Sequence, residues 1–291
     1  MSAVTIEPEF LDELDRFDAA LDRETAALRQ GEQQSPRVGE GLTFSDYRRY
    51  APGDDTRLID WKLYGRTEEF FIKQYEEERN LTVHVLVDAS ASMDFGDGDA
   101  HKFEYGAKIG LGFAYLTAEE HNDFLFSTFR ERAERLDAGR SNRGEVLDCI
   151  DQVNATEPQG ETDLAEVLEA YSDRIRTRSL AVVVTDCLAE PETVASGVEA
   201  LLRDDVDVLV VRPVAPEERD PDVVGDALFV DPETEAERRS YFSGSLARQY
   251  RSRLDTHIEA VDDRLTALGA DHTLVDTGEA YFDSFASVWL G

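Results

Sequence analysis

The sequence predicts an α/β protein with a doubly wound, mostly parallel sheet, preceded by an N-terminal helix and a small β-containing region. Beyond residue 80, apolar runs of strand length alternate with segments of helical periodicity. These runs are continuous stretches of valine and leucine, which is typical of parallel strands covered on both faces by helices. The 291 residues can bury a sizeable core, either in one large domain with an appendage or in two smaller domains.

The N-terminal part of the chain is predicted to form two short regions. Apolar residues recur at helical spacing from Glu7 to Arg29, and a polar linker with glycine and proline follows, so residues 1–35 are assigned to a helix and linker. Residues 36–80 are assigned to a small separate region, in which "FFIKQYEEE" alternates like a strand. Its Arg and Asp residues around Trp61 are interpreted as ion pairs that hold this region together. The N-terminal helix fits two roles, docking to a partner or packing on its own chain.

Residues 81–291 are assigned to the doubly wound domain. Predicted strands cover 81–87, 123–129, 180–185, 206–211 and 272–275. Predicted helices cover 102–120, 142–153, 163–177, 192–203, 244–268 and 279–290. A further segment, 227–242, is typical of a hairpin around Asp231 and Pro232, inserted at the rim of the sheet.

The composition is strongly acidic. The chain carries 63 Asp and Glu residues against 30 Lys and Arg residues, a formal net charge of −33, and only four of the basic residues are lysine. This balance argues against nucleic acid as a partner, since phosphate binding needs a basic face. Acid spread over every segment is typical of a halophilic protein that works in molar salt, where self-repulsion is screened. An acidic surface shaped for a basic partner is the alternative.

The cysteine pattern and the hydropathy of the sequence indicate the cellular compartment of the protein. The two cysteines, Cys149 and Cys187, have no C-x-x-C spacing, which indicates neither a disulfide framework nor a zinc site. No apolar run approaches the ~20 residues that a membrane span needs, and the first residues lack the order of a signal peptide. We therefore expect a cytoplasmic protein without a membrane span.

The stretch "HVLVDASASMDFG", beginning at residue 84, ends a predicted strand with one carboxylate and two hydroxyls at alternate positions, Asp88, Ser90 and Ser92. Ligands of open parallel sheets bind beyond the carboxyl ends of the strands. Alternate positions in an extended loop point to the same side, so the three oxygens can converge. Oxygen ligands suit a hard divalent cation such as Mg²⁺.

Two more oxygen-bearing residues are expected at the same rim. Thr162 lies in "QGETD" before the predicted 163–177 helix, and Asp186 directly follows the strand "LAVVVT". Each candidate also has an ordinary structural interpretation: Thr162 as a helix N-cap, Asp88 as a cap of the turn after its strand. Cap and ligand roles are compatible.

These residues carry a family resemblance. "DASAS", Thr162 and Asp186 resemble the metal-ion-dependent adhesion site of von Willebrand factor A domains, with the pattern DxSxS, T and D. The upstream segment "YRRYAPGDDTRLIDWKLYGRTEEFFIKQYEEE" resembles the hallmark of the domain of unknown function 58 family, which couples such a Rossmann-like domain to a small N-terminal region. The resemblance implies that the three hydroxyls ligate the metal directly, while Asp88 and Asp186 act largely through water.

The resemblance also implies a function. It suggests a non-enzymatic, cytoplasmic binding module whose cation, Mg²⁺ first and Mn²⁺ second, captures an acidic side chain of a partner protein. The implied partner is a MoxR-type AAA+ ATPase, with a role in assembly or maturation of other proteins. Two alternatives are a Mg²⁺-dependent phosphohydrolase that uses Asp88, and a scaffold with a vestigial metal site. Ser90 stands two residues after Asp88, where a phosphohydrolase of this type usually has a second carboxylate.

Overall fold

The computed structural model describes residues 5–29, 42–49, 71–77, 81–221, 225–230 and 236–290. The chain divides into two compact units. The larger unit contains Met1–Glu24 and Leu81–Gly291, and the smaller contains Thr25–Asn80. None of the helices in the described ranges has the length and hydrophobicity that a bilayer span requires.

The first helix and the first two strands precede the main sheet in the sequence. Helix α1 covers Phe10–Arg29, and strands β1 (Leu42–Arg49) and β2 (Phe71–Glu77) pair in antiparallel fashion. The predicted ion pairs around Trp61 and most of the hallmark segment fall in 50–70, outside the described residues.

The large domain is built on a six-stranded sheet. Its strand order is β10-β7-β6-β3-β4-β5, and every pair is parallel except that of β5 with β4. Strands β8 and β9 form a separate antiparallel hairpin, as the sequence predicted. The strands are β3 (Thr82–Asp88), β4 (Asp123–Phe129), β5 (Ala133–Arg135), β6 (Ser179–Val184), β7 (Val206–Val214), β8 (Gly225–Val230), β9 (Glu237–Phe242) and β10 (Asp271–Asp276).

Helices cover both faces of this sheet, which confirms the predicted doubly wound fold. One apolar core contains residues of α1, α2, α3 and α8, and the other contains residues of α4, α5 and α7. The helices of the large domain are α2 (Lys102–Glu119), α3 (Arg143–Asn154), α4 (Leu164–Ser172), α5 (Pro191–Leu201), α6 (Pro216–Arg219), α7 (Gly244–Leu268) and α8 (Tyr281–Leu290).

Helix α4 and strand β5 are among the elements that differ from the sequence prediction. The predicted helix 163–177 is shorter, because α4 ends at Ser172 and the chain turns through hydrogen bonds from Arg174 N to Tyr171 O and from Ile175 N to Ser172 O. Ile175 is buried, so its apolar side chain extends the helical pattern although its backbone has left the helix. The edge strand β5 was not predicted, because three residues carry too little periodicity to be recognised.

The start of α1 packs on its own chain. The Phe10 ring meets the Tyr281 ring edge to face, with centroids 5.2 Å apart. Arg143 donates to Asp12 at 2.6 Å and to Asp15 at 2.8 Å. The backbone N–H of Ile6 donates to the side-chain oxygen of Asn154 at 2.8 Å. Of the two roles left open by the sequence, these contacts demonstrate the packing role for this segment.

Glycines allow α2 to lie directly on the central strands. A Cβ atom at Gly106 would lie 2.8 Å from Val184 Cγ1, and one at Gly110 would lie 2.7 Å from Val85 Cγ1. Both separations are well inside the ~3.5–4.0 Å of an optimal carbon contact. The missing side chains therefore set the distance between α2 and the β3–β6 pair, and with it the position of the first residue of α2.

We expect Gly110→Ala to lower the free energy of unfolding by ~1–3 kcal/mol through overpacking, although alanine favours the helix by ~1 kcal/mol. Urea denaturation followed by circular dichroism measures the change. Gly244→Ala is the matched control at the start of α7, where a Cβ would meet only Arg248 Nη1 at 3.8 Å. Equal stabilities of the two variants would contradict the close-packing argument.

Candidate metal centre

The predicted site lies where the order of the strands reverses. After β3 the chain continues to β4 on one side, and it later returns to β6 on the other side of β3. Helix α2 after β3 packs in one core, and α5 after β6 packs in the other. The loops after β3 and β6 therefore diverge to opposite faces and leave a crevice at the carboxyl ends of these strands, the usual ligand position in such sheets.

Asp88 lies at the buried end of this crevice. It is the last residue of β3 and only 1% exposed. Its Oδ1 accepts a hydrogen bond from the backbone N–H of Ser90 at 2.9 Å, and its Oδ2 accepts one from the hydroxyl of Thr185 at 2.7 Å. The hydroxyls of Ser90 and Ser92 lie 3.1 Å apart. The structure thus brings together the three residues of the "DASAS" loop that the sequence selected.

The carboxyl group of Asp88 is hard to ionise in this position. Burial, and after it the charge of Asp186, raises the pKa of Asp88 to about 7, against the weaker effect of hydrogen bonds from Thr185 and Ser90. Two carboxylates from the ends of β3 and β6 therefore repel each other across the crevice. A cation between them would relieve that repulsion.

Asp186 already has a cationic neighbour, Lys102, the first residue of α2. The Lys102 ammonium lies 2.7 Å from Asp186 Oδ2 and 3.0 Å from Glu218 Oε1, and the lysine side chain is completely buried. Burial disfavours the charge, but the two carboxylates together raise the pKa of Lys102 above its ordinary value. Sequence reasoning missed this residue, although a lysine is itself a signal in a chain with only four of them.

Thr162 lies in a loop that is bound to the "DASAS" loop through the backbone. Ala91 N–H donates to Gly160 O at 2.9 Å, and Gln159 N–H donates to Ala89 O at 3.0 Å. The Thr162 hydroxyl donates to the carbonyl oxygen of Arg130 at 2.8 Å, which leaves its oxygen lone pairs for another partner.

The predicted N-cap role of Thr162 is wrong. Helix α4 begins one residue later than that role requires, and the side chain of Asp163 accepts from Glu166 N–H as the N-cap. A carboxylate in the next position competes successfully for this role, because Asp is as good an N-cap as Ser and better than Thr.

The oxygen atoms of the five predicted residues fit a hard divalent cation, with the hydroxyl groups as the direct ligands. All four carboxylate oxygens of Asp88 and Asp186 already accept a hydrogen bond, the last of them from Leu188 N–H at 3.2 Å. In the described ranges, no three His, Cys, Asp or Glu side chains lie together in a ligand arrangement. Direct ligands would therefore come from Ser90, Ser92 and Thr162, all neutral oxygens of the kind that Mg²⁺ accepts together with water.

Comparison with known proteins gives one family match and several relatives of similar sequence. Residues 46–260 match the sequence profile of DUF58, a family described as protein of unknown function. The uncharacterized proteins Rv1480 of Mycobacterium tuberculosis and Mb1516 of Mycobacterium bovis are each 27% identical over 239 residues, which cover 80% of this chain and 74% of theirs.

Similar solved structures include the VWA domain of SpRpn10, with a TM-score of 0.44 and 10% identity, over 71% of this chain and 94% of that one. An aerotolerance-related membrane protein from Bacteroides fragilis is similar at a TM-score of 0.43 and 11% identity, over 72% of this chain and 97% of that one.

The raised pKa of Asp88 predicts a pH dependence of stability. Between the ordinary pKa of 3.8 and about 7, the folded protein binds a proton that the unfolded chain has released, so stability falls as the pH rises through this window. We expect metal-free wild type to lose stability relative to Asp88→Asn over this range, at up to about 1.4 kcal/mol per pH unit. Denaturation in EDTA at several pH values measures the difference in the free energy of unfolding between wild type and Asp88→Asn. A difference that is constant from pH 4 to 7 would contradict the prediction.

Removal of the buried ammonium should be strongly destabilising. Lys102→Met leaves two buried carboxylates without a cation, so we expect a loss of ~3–5 kcal/mol in the free energy of unfolding. Lys108→Met, on the same helix, breaks a pair with Glu104 that keeps some access to water, and we expect ~1 kcal/mol. Urea denaturation of both variants at neutral pH measures their losses in the free energy of unfolding. Equal losses would contradict the importance of the burial of Lys102.

Proposed function

Because this chain belongs to the DUF58 family, we propose that it is a protein-interaction module that holds a divalent cation and uses it to capture an acidic side chain of a partner protein. The observation that carries this proposal is the charge of the crevice. The crevice contains three buried or nearly buried carboxylates, Asp88, Asp186 and Glu218, and one ammonium group, that of Lys102, which pairs with Asp186 and Glu218. With all three ionised, the set lacks two positive charges, which is the charge of one divalent cation.

The proposed ligands are the hydroxyls of Ser90, Ser92 and Thr162, with Asp88 and Asp186 acting through water. This division is supported by the hydrogen bonds that already occupy the carboxylate oxygens. Mg²⁺ is the first choice and Mn²⁺ the second, since both accept oxygen ligands and water in octahedral geometry.

A cation bound mainly by neutral hydroxyls keeps most of its positive charge and can accept a further anionic ligand. A carboxylate from a partner protein supplies that ligand and is in turn attracted to the site. The chain's own role is to hold the hydroxyls in place: the backbone bonds of Ala89 and Ala91 to the 159–160 segment keep the two loops in register.

For the partner, we propose a cytoplasmic MoxR-type AAA+ ATPase, with which the protein would act in assembly or maturation of other proteins. This part of the proposal rests on the family resemblance of the "DASAS" loop and of the upstream segment. The surface charge is consistent with it only in that nucleic acid is disfavoured.

The phosphohydrolase alternative is less well supported. The Lys102 ammonium is completely buried and held by two carboxylates, so it is not free to bind a phosphoryl group. Both oxygens of Asp88 are also engaged. An aryl phosphate assay with Mg²⁺ distinguishes the two functions: turnover that Asp88→Asn abolishes would overturn the interaction-module proposal.

Metal binding can be tested without a partner. We expect Mn²⁺, followed by electron paramagnetic resonance, to bind the full chain with one saturable site and to be displaced by Mg²⁺. Thr162→Ala should weaken this binding at least tenfold, the loss of about one oxygen ligand. Thr156→Ala is the matched control, because its hydroxyl also donates to a backbone carbonyl, that of Gln152 at 2.8 Å. Equal affinities of the two variants would exclude Thr162 as a ligand.

The partner is tested by co-purification in molar KCl with Mg²⁺, beside Ser92→Ala. A MoxR-type ATPase recovered with wild type and lost with the variant supports capture through the metal. Equal recovery with both proteins favours the scaffold with a vestigial site, and recovery with neither removes the support for this partner.

A further inference from the structure

A cleft at the opposite, amino-terminal edge of the sheet has a different chemical character. Thr82 and Asp123, at the starts of β3 and β4, line one side, and Arg135 of β5 lines another. The segment after α4 contributes Arg174 and Arg176. Three arginines and one aspartate thus line the cleft, in a chain that has twice as many acidic as basic residues.

Two of the three arginines keep their charge available. Arg135 is neutralised by Asp137, to which its Nε donates at 2.9 Å. The guanidinium of Arg174 lies over the Tyr171 ring, 5.5 Å from the centroid, a contact that does not neutralise it. Within the described part of the chain, neither Arg174 nor Arg176 pairs with an acid, and both are exposed. The two free guanidinium groups outnumber the remaining carboxylate of the lining, that of Asp123, so the cleft carries a net positive charge.

His84 adds a buried ring nitrogen that lacks a hydrogen-bond partner in the described part of the chain. The residue lines the same cleft and is only 2% exposed, and its Nδ1 lies 3.0 Å from the Tyr171 hydroxyl. Its Nε2 is buried, and no described residue makes a hydrogen bond to it. A buried nitrogen left without a partner costs about 1–3 kcal/mol, so such a group usually marks a place where a ligand or water belongs.

The state of His84 determines what it can bind. Burial, and after it the charge of Arg135, lowers the pKa of His84 to about 4, so the ring is neutral at neutral pH. When the Tyr171 hydroxyl donates to Nδ1, the ring proton is on Nε2. Nε2 is then a hydrogen-bond donor on a ring that lines the same cleft as the two free guanidinium groups.

We propose that this cleft is a binding site for a phosphoryl oxyanion, either inorganic phosphate or the phosphate group of a small molecule, held by Arg174, Arg176 and the Nε2–H of His84. Guanidinium groups match the oxygens of phosphate with paired N–H donors. The hydroxyls of Thr82 and Thr177, 3.3 Å apart at the same cleft, supply further donors. The site lies at the sheet edge opposite the candidate metal centre and does not depend on it.

The test follows the His84 ring nitrogens by ¹⁵N NMR on the full chain. Sodium phosphate is titrated against sodium chloride at constant ionic strength, with EDTA present to exclude metal effects. We expect a proton on Nε2 and a saturable shift of its resonance with phosphate. A parallel titration with glycerol phosphate distinguishes the two sources, since tighter binding of the ester indicates a phosphorylated small molecule and equal binding indicates the free ion.

Matched variants assign the effect to the cleft. The double variant Arg174→Gln, Arg176→Gln should weaken phosphate binding at least about tenfold, the loss expected for a charge-assisted contact. Arg178→Gln is the control, since Arg178 is exposed in the same segment but does not line the cleft.

Three results would overturn the proposal. The first is a ring proton on Nδ1 both with and without phosphate. The second is the absence of a saturable shift, or a shift that acetate produces equally at the same ionic strength. The third is equal phosphate affinity of the double variant and the Arg178 control.

Discussion

The ammonium group of Lys102, buried between the carboxylates of Asp186 and Glu218, joins three segments of the carboxyl edge: the start of α2, the loop after β6 and the short helix α6. A buried charge without its partner costs several kcal/mol, so these segments must stay together for any of them to remain buried. The close approach of α2 to β3 and β6, which Gly106 and Gly110 permit, brings the lysine to this position. The close packing of α2 on the sheet therefore also determines the charge balance at the crevice, because it sets the position of Lys102.

Among the described residues, this constraint leaves Asp88 as the carboxylate of the crevice that has no ion pair. Its oxygens are satisfied by Ser90 and Thr185, which orient the group but do not neutralise it. The crevice therefore combines a satisfied hydrogen-bond network with unsatisfied charge. Such a combination is stable when Asp88 is protonated, and it also accommodates a divalent cation when Asp88 is ionised.

The two edges of the parallel sheet differ because all but one of its strands point in the same direction. The carboxyl edge collects the loops that carry the hydroxyls and carboxylates, while the amino edge collects the starts of β3 and β4 and the arginine-bearing segment after α4. The unpaired carboxyl group of Asp88 and the two free guanidinium groups, among the described residues, are thus separated by the length of a strand. The excess of acid in the composition conceals this separation, because two exposed arginines change the net charge of the chain very little.

The sequence by itself determined the fold class and the local part of the site. Continuous Val and Leu runs between helical segments predict covered parallel strands. The "DASAS" string also predicts that Asp88, Ser90 and Ser92 meet, although Ala91–Met93 form a 3-10 turn instead of the extended loop that the prediction assumed. Only the tertiary structure decided which distant groups meet them. Thr185 lies 97 residues from Asp88, and Glu218 lies 116 residues from Lys102. Such partners depend on β6 lying beside β3 and on how closely α2 packs, since burial rather than sequence spacing forces charged groups to pair.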